Sequence, residues 1–220
     1  MRISIPGTTV MFDYGEVISR IPSDADRAAI VRRAGAPAGP FWASYWRHRD
    51  DYDRGAVRAG EYWERIAHDL DRTWDTATRH QLWLADFRSW LTVDPAVLDV
   101  LVDLRAGGTP MALLSNAGPE FASWYRDGML GEFFDVVVTS SDVGVLKPHA
   151  AVYHAALTAL DASACELVFV DDRPANIAGA QAIGMTGHLF TGAASLRTFL
   201  EGLAATAADG TDALPCGRDR

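Results

Sequence analysis

TTVMFD, residues 8–13, is a short apolar run with β-branched side chains that ends in an acid, and Gly15 follows two residues later. The run predicts a buried strand that delivers Asp13 at its carboxyl end. Ligands in open α/β sheets bind outside those ends, so Asp13 is the first candidate for chemistry. Three further runs have the same character: MALLSN (111–116), DVVVTS (135–140) and ELVFVDD (166–172), each followed by a helix-like segment. MTGHLF (185–190) reads as a last short strand. Repeated strand then helix predicts an α/β fold, a doubly wound parallel sheet covered on both faces.

Residues 149–160 (HAAVYHAALTAL) and 174–184 (PANIAGAQAIG) are Ala-rich with helical periodicity, and the second has Pro174 near its start and Gly184 as its expected C-cap. Between about 20 and 94 the texture changes. Six of the seven tryptophans (Trp42, Trp46, Trp63, Trp74, Trp83, Trp90) fall there among many Arg and Asp, and Trp42/Trp46 and Ile66/Leu70 stand four apart, as on helical stripes. A helical insertion straight after the first strand would stand over that strand's carboxyl end as a lid. The expected organisation is a core of 1–19 and 95–205, a small all-helical cap of 20–94, and a frayed polar tail of 206–220.

The whole chain has 220 residues, 49% of them hydrophobic and 22% charged, the balance of a folded globular protein and not of a disordered or fibrous one. A net charge of -9 without a run of Lys or Arg argues against nucleic acid as a partner. Cys165 and Cys216 are the only cysteines, which leaves no disulfide framework or zinc-ligand spacing and favours a reducing compartment. No basic region with a long apolar run opens the chain, and no stretch nears the roughly 18 apolar residues of a membrane helix. The expectation is a cytoplasmic protein with no membrane partner.

Four strand ends converge if the sheet is parallel: Asp13; Ser115 with Asn116; the LKP segment with Lys147; and Asp171 with Asp172. Singly, each has a plain structural reading, since a strand-end Asp forms turns, a Ser caps a helix, and an Asp-Asp pair starts a solvated helix. Lys147 is the one lysine among twenty Lys and Arg residues, and a compact ammonium can contact both a carboxylate and a phosphate oxygen. Phosphoryl transfer needs a nucleophile in line with phosphorus, with positive charge and donors around the equatorial oxygens. Asp13 can attack and form an aspartyl-phosphate.

FDYGEVI, LLSNAG, LKP and FVDDRPANI match in order the four motifs of the haloacid dehalogenase-like superfamily of hydrolases, which the chain resembles over residues 8–190. The resemblance implies a Rossmann-like core with a helical cap inserted after the first motif. It also implies a magnesium-dependent phosphatase acting on a small phosphorylated metabolite. The ion would be held by the Asp13 carboxylate, the Gly15 carbonyl and the Asp171 side chain, hard oxygen ligands that suit it. The Ser115 hydroxyl, the Asn116 N–H at a helix start, and Lys147 would bind phosphate. Asp172 would hold a metal-bound water or orient Lys147, and Asn176 would brace the acidic pair or cap a turn. Tyr14, Glu16, Trp46, His48 and Arg54 are the candidate substrate contacts, against a reading in which the cap Trp residues pack and the Arg residues are solvated.

Gly15 departs from the pattern. Most phosphatases of this superfamily carry a second Asp there as general acid; here the carbonyl survives and the acid does not, and Glu16 is the candidate substitute. Two other readings stay open: a metal-independent 2-haloacid dehalogenase, and a catalytically weak phosphate-binding or regulatory protein. Dehalogenases of the superfamily resemble Asp-x-Tyr-Gly, whereas Tyr14 directly follows Asp13, and halide leaves without paired acids such as Asp171 and Asp172.

Overall fold

The computed structural model describes residues 2–209 and 214. Five strands, β1 (Thr9–Phe12), β2 (Met111–Ser115), β3 (Val136–Thr139), β4 (Leu167–Asp171) and β5 (Thr186–Leu189), form one sheet in the order β3-β2-β1-β4-β5, with every pair parallel. Alternate residues of the apolar runs serve two separate cores. Val10, Phe12, Leu113, Val168 and Val170 pack into one, while Met11, Ala112, Leu114, Leu167 and Phe169 pack into the other. Burial on both faces is why these runs show no polar alternation.

The chain leaves β1, the central strand, for β2 and β3 on one side, and later crosses back to β4 on the other. The carboxyl end of β1 is therefore the switch point of the sheet, where a crevice opens.

Among the described residues, ten α-helices accompany the strands. Between β1 and β2 lie α1 (Asp24–Ala34), α2 (Ala38–Asp53), α3 (Ala59–Asp69), α4 (Thr76–Ser89) and α5 (Pro95–Gly107). Then come α6 (Pro119–Asp127) before β3, α7 (Ser140–Val143) and α8 (Ala150–Leu160) before β4, α9 (Pro174–Ala182) before β5, and α10 (Ala193–Ala208). Helices α1 to α4 pack on one another around Phe41, Tyr45, Tyr62 and Trp63, in the manner of a cap. The segments entering and leaving them run side by side, with an antiparallel bridge between Ser19 and Val93. Tyr52 of α2 fixes this unit to the sheet domain: its hydroxyl donates to Glu120 at 2.8 Å, and its ring lies where a Cβ on Gly118 would stand, at 2.7 Å.

Several local expectations change. Helix α9 ends with Ile183 as its C-cap, so Gly184, at φ 95°, is not the cap but lies one residue beyond it. Helix α10 continues through 206–208, and Leu214 is buried, so these parts of the expected frayed tail are ordered; 210–213 and 215–220 lie outside the described residues. Cys165 is disulfide-bonded, against the expectation of unpaired thiols, which removes the support for a reducing compartment. Cys216 lies outside the described residues. Among the described residues no helix is long and apolar enough to cross a membrane.

Candidate active site

Asp13 follows β1 directly, and its backbone N–H donates to Val170 of β4, which ties the end of the central strand to its neighbour. Its Oδ1 accepts from the Tyr14 N–H at 2.7 Å and from Lys147 Nζ at 2.8 Å. Its Oδ2 has no hydrogen-bond partner among the described residues. One oxygen is held and the other is available, the geometry a nucleophilic carboxylate needs.

Lys147 is buried, and its three N–H donors match three acceptors: Asp13 Oδ1 (2.8 Å), Asp171 Oδ2 (2.8 Å) and the Leu114 carbonyl (3.0 Å). Its backbone is clamped by Asn116, whose Oδ1 accepts from the Lys147 N–H and whose Nδ2 donates to the Lys147 carbonyl. Asp171 is fully buried and both of its oxygens are engaged, Oδ1 by the Arg173 N–H and both by Asn176 Nδ2. Asp172, half-buried, lines the cavity instead.

That cavity, of about 160 Å³, brings together Asp13, Gly15, Ser115, Asn116, Lys147 and Asp172 from the strand ends. Tyr14, Glu16, Trp46 and Asn176 also line it. His48 and Arg54 do not. His48 bonds Asp69 at 2.9 Å, and Arg54 pairs with Asp51 at 2.6 Å, so the helical turn of α2 aims both away from the cavity. Ser115 is not a helix cap: α6 starts at Pro119 with Gly118 as N-cap, so neither Ser115 nor Asn116 stands at a helix start.

The sequence reading missed Arg49, Asp50, Asp53, Trp90, Phe121 and Tyr125, all on the cavity wall. Arg49 and Asp53 carried a signal in their i,i+4 spacing. Arg49 Nε donates to both Asp53 oxygens, and its Nη1 reaches the Tyr45 hydroxyl and Asp86. Tyr125 and Phe121 gave none, because only the packing of α6 brings them here.

Burial pushes the Asp13 carboxyl up to about 6, with Lys147 pulling the other way and Asp171 adding to the rise. Burial also holds Asp172 above the usual carboxylate range, helped by Asp171 and Glu16. Asp13, Asp171 and Asp172 offer carboxylate oxygens all within 4.8 Å of one another. Three acids against Lys147 and the Arg173 guanidinium beside Asp172 leave excess negative charge, and a donor set of hard oxygens fits a small divalent cation.

A nucleophile-ready carboxylate at the switch point, a buried lysine and an acidic pair define a hydrolase with a Rossmann-like core and a helical insertion after the first strand. The chain belongs to the haloacid dehalogenase-like hydrolase family, whose model matches residues 7–184. It is 32% identical over 112 residues to a sesquiterpene phosphatase of Aspergillus oryzae, covering 50% of this chain and 56% of that one. The chain thus spans about half the length of that relative. It is 27% identical over 202 residues to a ribulose-1,5-bisphosphate 5-phosphatase of Halopiger xanaduensis, covering 83% and 84%. In fold it matches an enzyme of this family from Bacteroides thetaiotaomicron, solved as an alanine mutant with magnesium and inorganic phosphate, at a TM-score of 0.68 and 17% identity over 83% of this chain and 93% of that one.

Proposed function

We propose that this chain is a magnesium-dependent phosphatase that hydrolyses a small phosphorylated metabolite through an aspartyl-phosphate on Asp13. The observation that carries the reading is the asymmetry of the Asp13 carboxylate, with Oδ1 held by Lys147 and Tyr14 and Oδ2 without a protein partner. Oδ2 attacks phosphorus, the bond from phosphorus to the ester oxygen breaks, and that oxygen departs as an alkoxide that takes its proton from water. Water then attacks the same phosphorus, the bond to Asp13 breaks, and inorganic phosphate leaves.

Asp13, the Gly15 carbonyl and Asp172 would hold the metal, which supplies positive charge to the phosphoryl oxygens when bound. Asp172 takes the part first given to Asp171, because the Asp171 oxygens are already engaged by Lys147, Asn176 and the Arg173 N–H, and Asp172 is on the cavity wall. Lys147 orients Asp13 and neutralises its charge. Ser115 and the Asn116 N–H remain the donors for the phosphoryl group. No carboxyl stands at Gly15 to protonate the leaving oxygen, and Glu16 is the nearest acid in the chain.

The two phosphatase relatives and the Asp13, Asp171 and Asp172 set support this reading. The test is phosphate release from a panel of small phosphate esters, with and without magnesium, for the wild type and Asp13→Asn. Metal-dependent release that vanishes in Asp13→Asn is the expected result. Metal-independent halide release from 2-haloacids, or binding without turnover, overturns it.

A further inference from the structure

A second cavity, of about 50 Å³, adjoins the first and shares Glu16, Trp46 and Trp90 with it. Its remaining wall is largely apolar, with Ile21, Pro22, Ile30 and Trp42. Five large apolar side chains among the described residues are exposed, and two of them, Ile21 at 57% and Trp46 at 50%, stand at this groove. Leaving such side chains in water is unfavourable, and their convergence beside a catalytic cavity marks a surface that a ligand covers.

Asp86 and Ser89, two of the groove's polar groups, are already used. Asp86 accepts from the Tyr45 hydroxyl at 2.7 Å and pairs with Arg49, and the Ser89 hydroxyl donates to the Asp86 carbonyl at 2.7 Å. Arg27 lays its guanidinium over the Trp42 ring, 5.1 Å from its centre. A polyhydroxylated group placed against Ile21, Pro22, Ile30 and Trp42 would lose its water and find only Glu16 and Arg27 left as partners, which is costly, whereas an apolar group loses nothing.

We propose that this groove receives the apolar part of the substrate's alcohol, so that the preferred substrates are phosphate monoesters of short aliphatic or aromatic alcohols and not of polyols. The proposal rests on the phosphatase reading of Asp13, and continuity of the two cavities makes the ester's own alcohol the occupant. A buried methylene is worth about a threefold to fourfold gain in specificity. The small volume limits the gain to the first few carbons.

The test has a turnover arm and a binding arm. In the first, kcat/KM is measured for ethyl, butyl and hexyl phosphate and for glycerol phosphate. We expect butyl phosphate to exceed ethyl by about tenfold, hexyl to add little, and glycerol phosphate to fall below butyl. In the second, tryptophan fluorescence reports binding of ethyl- and butylphosphonate, which are not hydrolysed, and affinity should rise in the same proportion. Ile21→Asp, at a largely exposed position, should lower the butyl-to-ethyl ratio in both arms at least fivefold. Turnover with a flat series, or with glycerol phosphate preferred, overturns the groove assignment and leaves the phosphatase reading standing. Chain-length-dependent phosphonate binding without turnover of any ester does the reverse. Phosphonate binding without chain-length dependence also overturns the groove, as does no binding at all.

Discussion

Lys147 Nζ stands 2.8 Å from Asp13 Oδ1, and both side chains are buried at the carboxyl end of the sheet. Lys147 has spent its donors on Asp13, Asp171 and the Leu114 carbonyl, a roughly tetrahedral demand that an ammonium meets and a planar guanidinium does not. Lys147→Arg should therefore reduce kcat at least tenfold although the charge is kept. The rate comes from steady-state assay and the fold from circular dichroism. A near-wild-type rate would mean that charge alone suffices.

Asp171 and Asp172 should separate cleanly. Asp171→Asn leaves the Lys147 charge short of a buried partner and should destabilise the fold by about 3 kcal/mol, the order seen when a buried ion pair loses one member. Thermal melts measure it. Asp172→Ala should cost little stability but raise the magnesium concentration needed for half-maximal rate by tenfold or more. If instead Asp171→Asn shifts the magnesium response and Asp172→Ala does not, the metal roles are reversed.

Gly15 bears on the leaving group. Its φ is not in the left-handed region, and a Cβ there would meet only Trp90 at 3.8 Å, an ordinary contact, so the backbone accepts a side chain. In the wild type, single-turnover rates over esters of graded leaving-group pKa should fall steeply as the alcohol becomes less acidic. Gly15→Asp should flatten that slope, since general acid catalysis is worth about a hundredfold or more for poor leaving groups. A flat wild-type series would assign the proton to another group, with Glu16 first in line.

The Arg49 cluster should give stability a pH signature. Burial pushes the Asp53 carboxyl up to about 6 from its ordinary 3.8, against the pull of Arg49 and with Asp86 adding to the rise. The folded state thus binds this proton more tightly than the unfolded chain. The contribution of Asp53 is fully present below about pH 4 and is lost as pH rises to 6, a swing of up to about 3 kcal/mol. Asp13 titrates in the same window, so the informative quantity is the difference between wild type and Asp53→Asn. Urea unfolding from pH 4 to 7 should show a weaker fall in stability in Asp53→Asn; identical slopes would show that Asp53 is ionised throughout.

Much of the site was legible because it is built from strand ends. A buried parallel strand announces itself by an unbroken apolar run, and the residue after the run must sit at the crevice, so Asp13, Ser115 and Asp171 could be placed from the sequence. The lone lysine marked Lys147. Division of labour within Asp171-Asp172 was not legible, because adjacent residues at a strand end point to opposite sides and only the register of β4 against β1 decides which one meets Lys147. The cap residues were harder still. Trp46, His48 and Arg49 lie on α2 and Arg54 caps its end, all within nine residues, yet Trp46 and Arg49 reach the cavity and His48 and Arg54 do not.

By itself, then, the sequence determined the architecture and singled out Asp13, Lys147 and the absence of an acid at Gly15, since each depends on local pattern and chain order alone. Tertiary structure decided the rest. Which face of α2 turns inward, how α6 brings Phe121 and Tyr125 to the wall, and whether the groove beside Trp46 exists depend on the docking of the helical insertion onto the sheet. That docking rests on contacts such as Tyr52 with Glu120, 68 residues apart, and no local period encodes them.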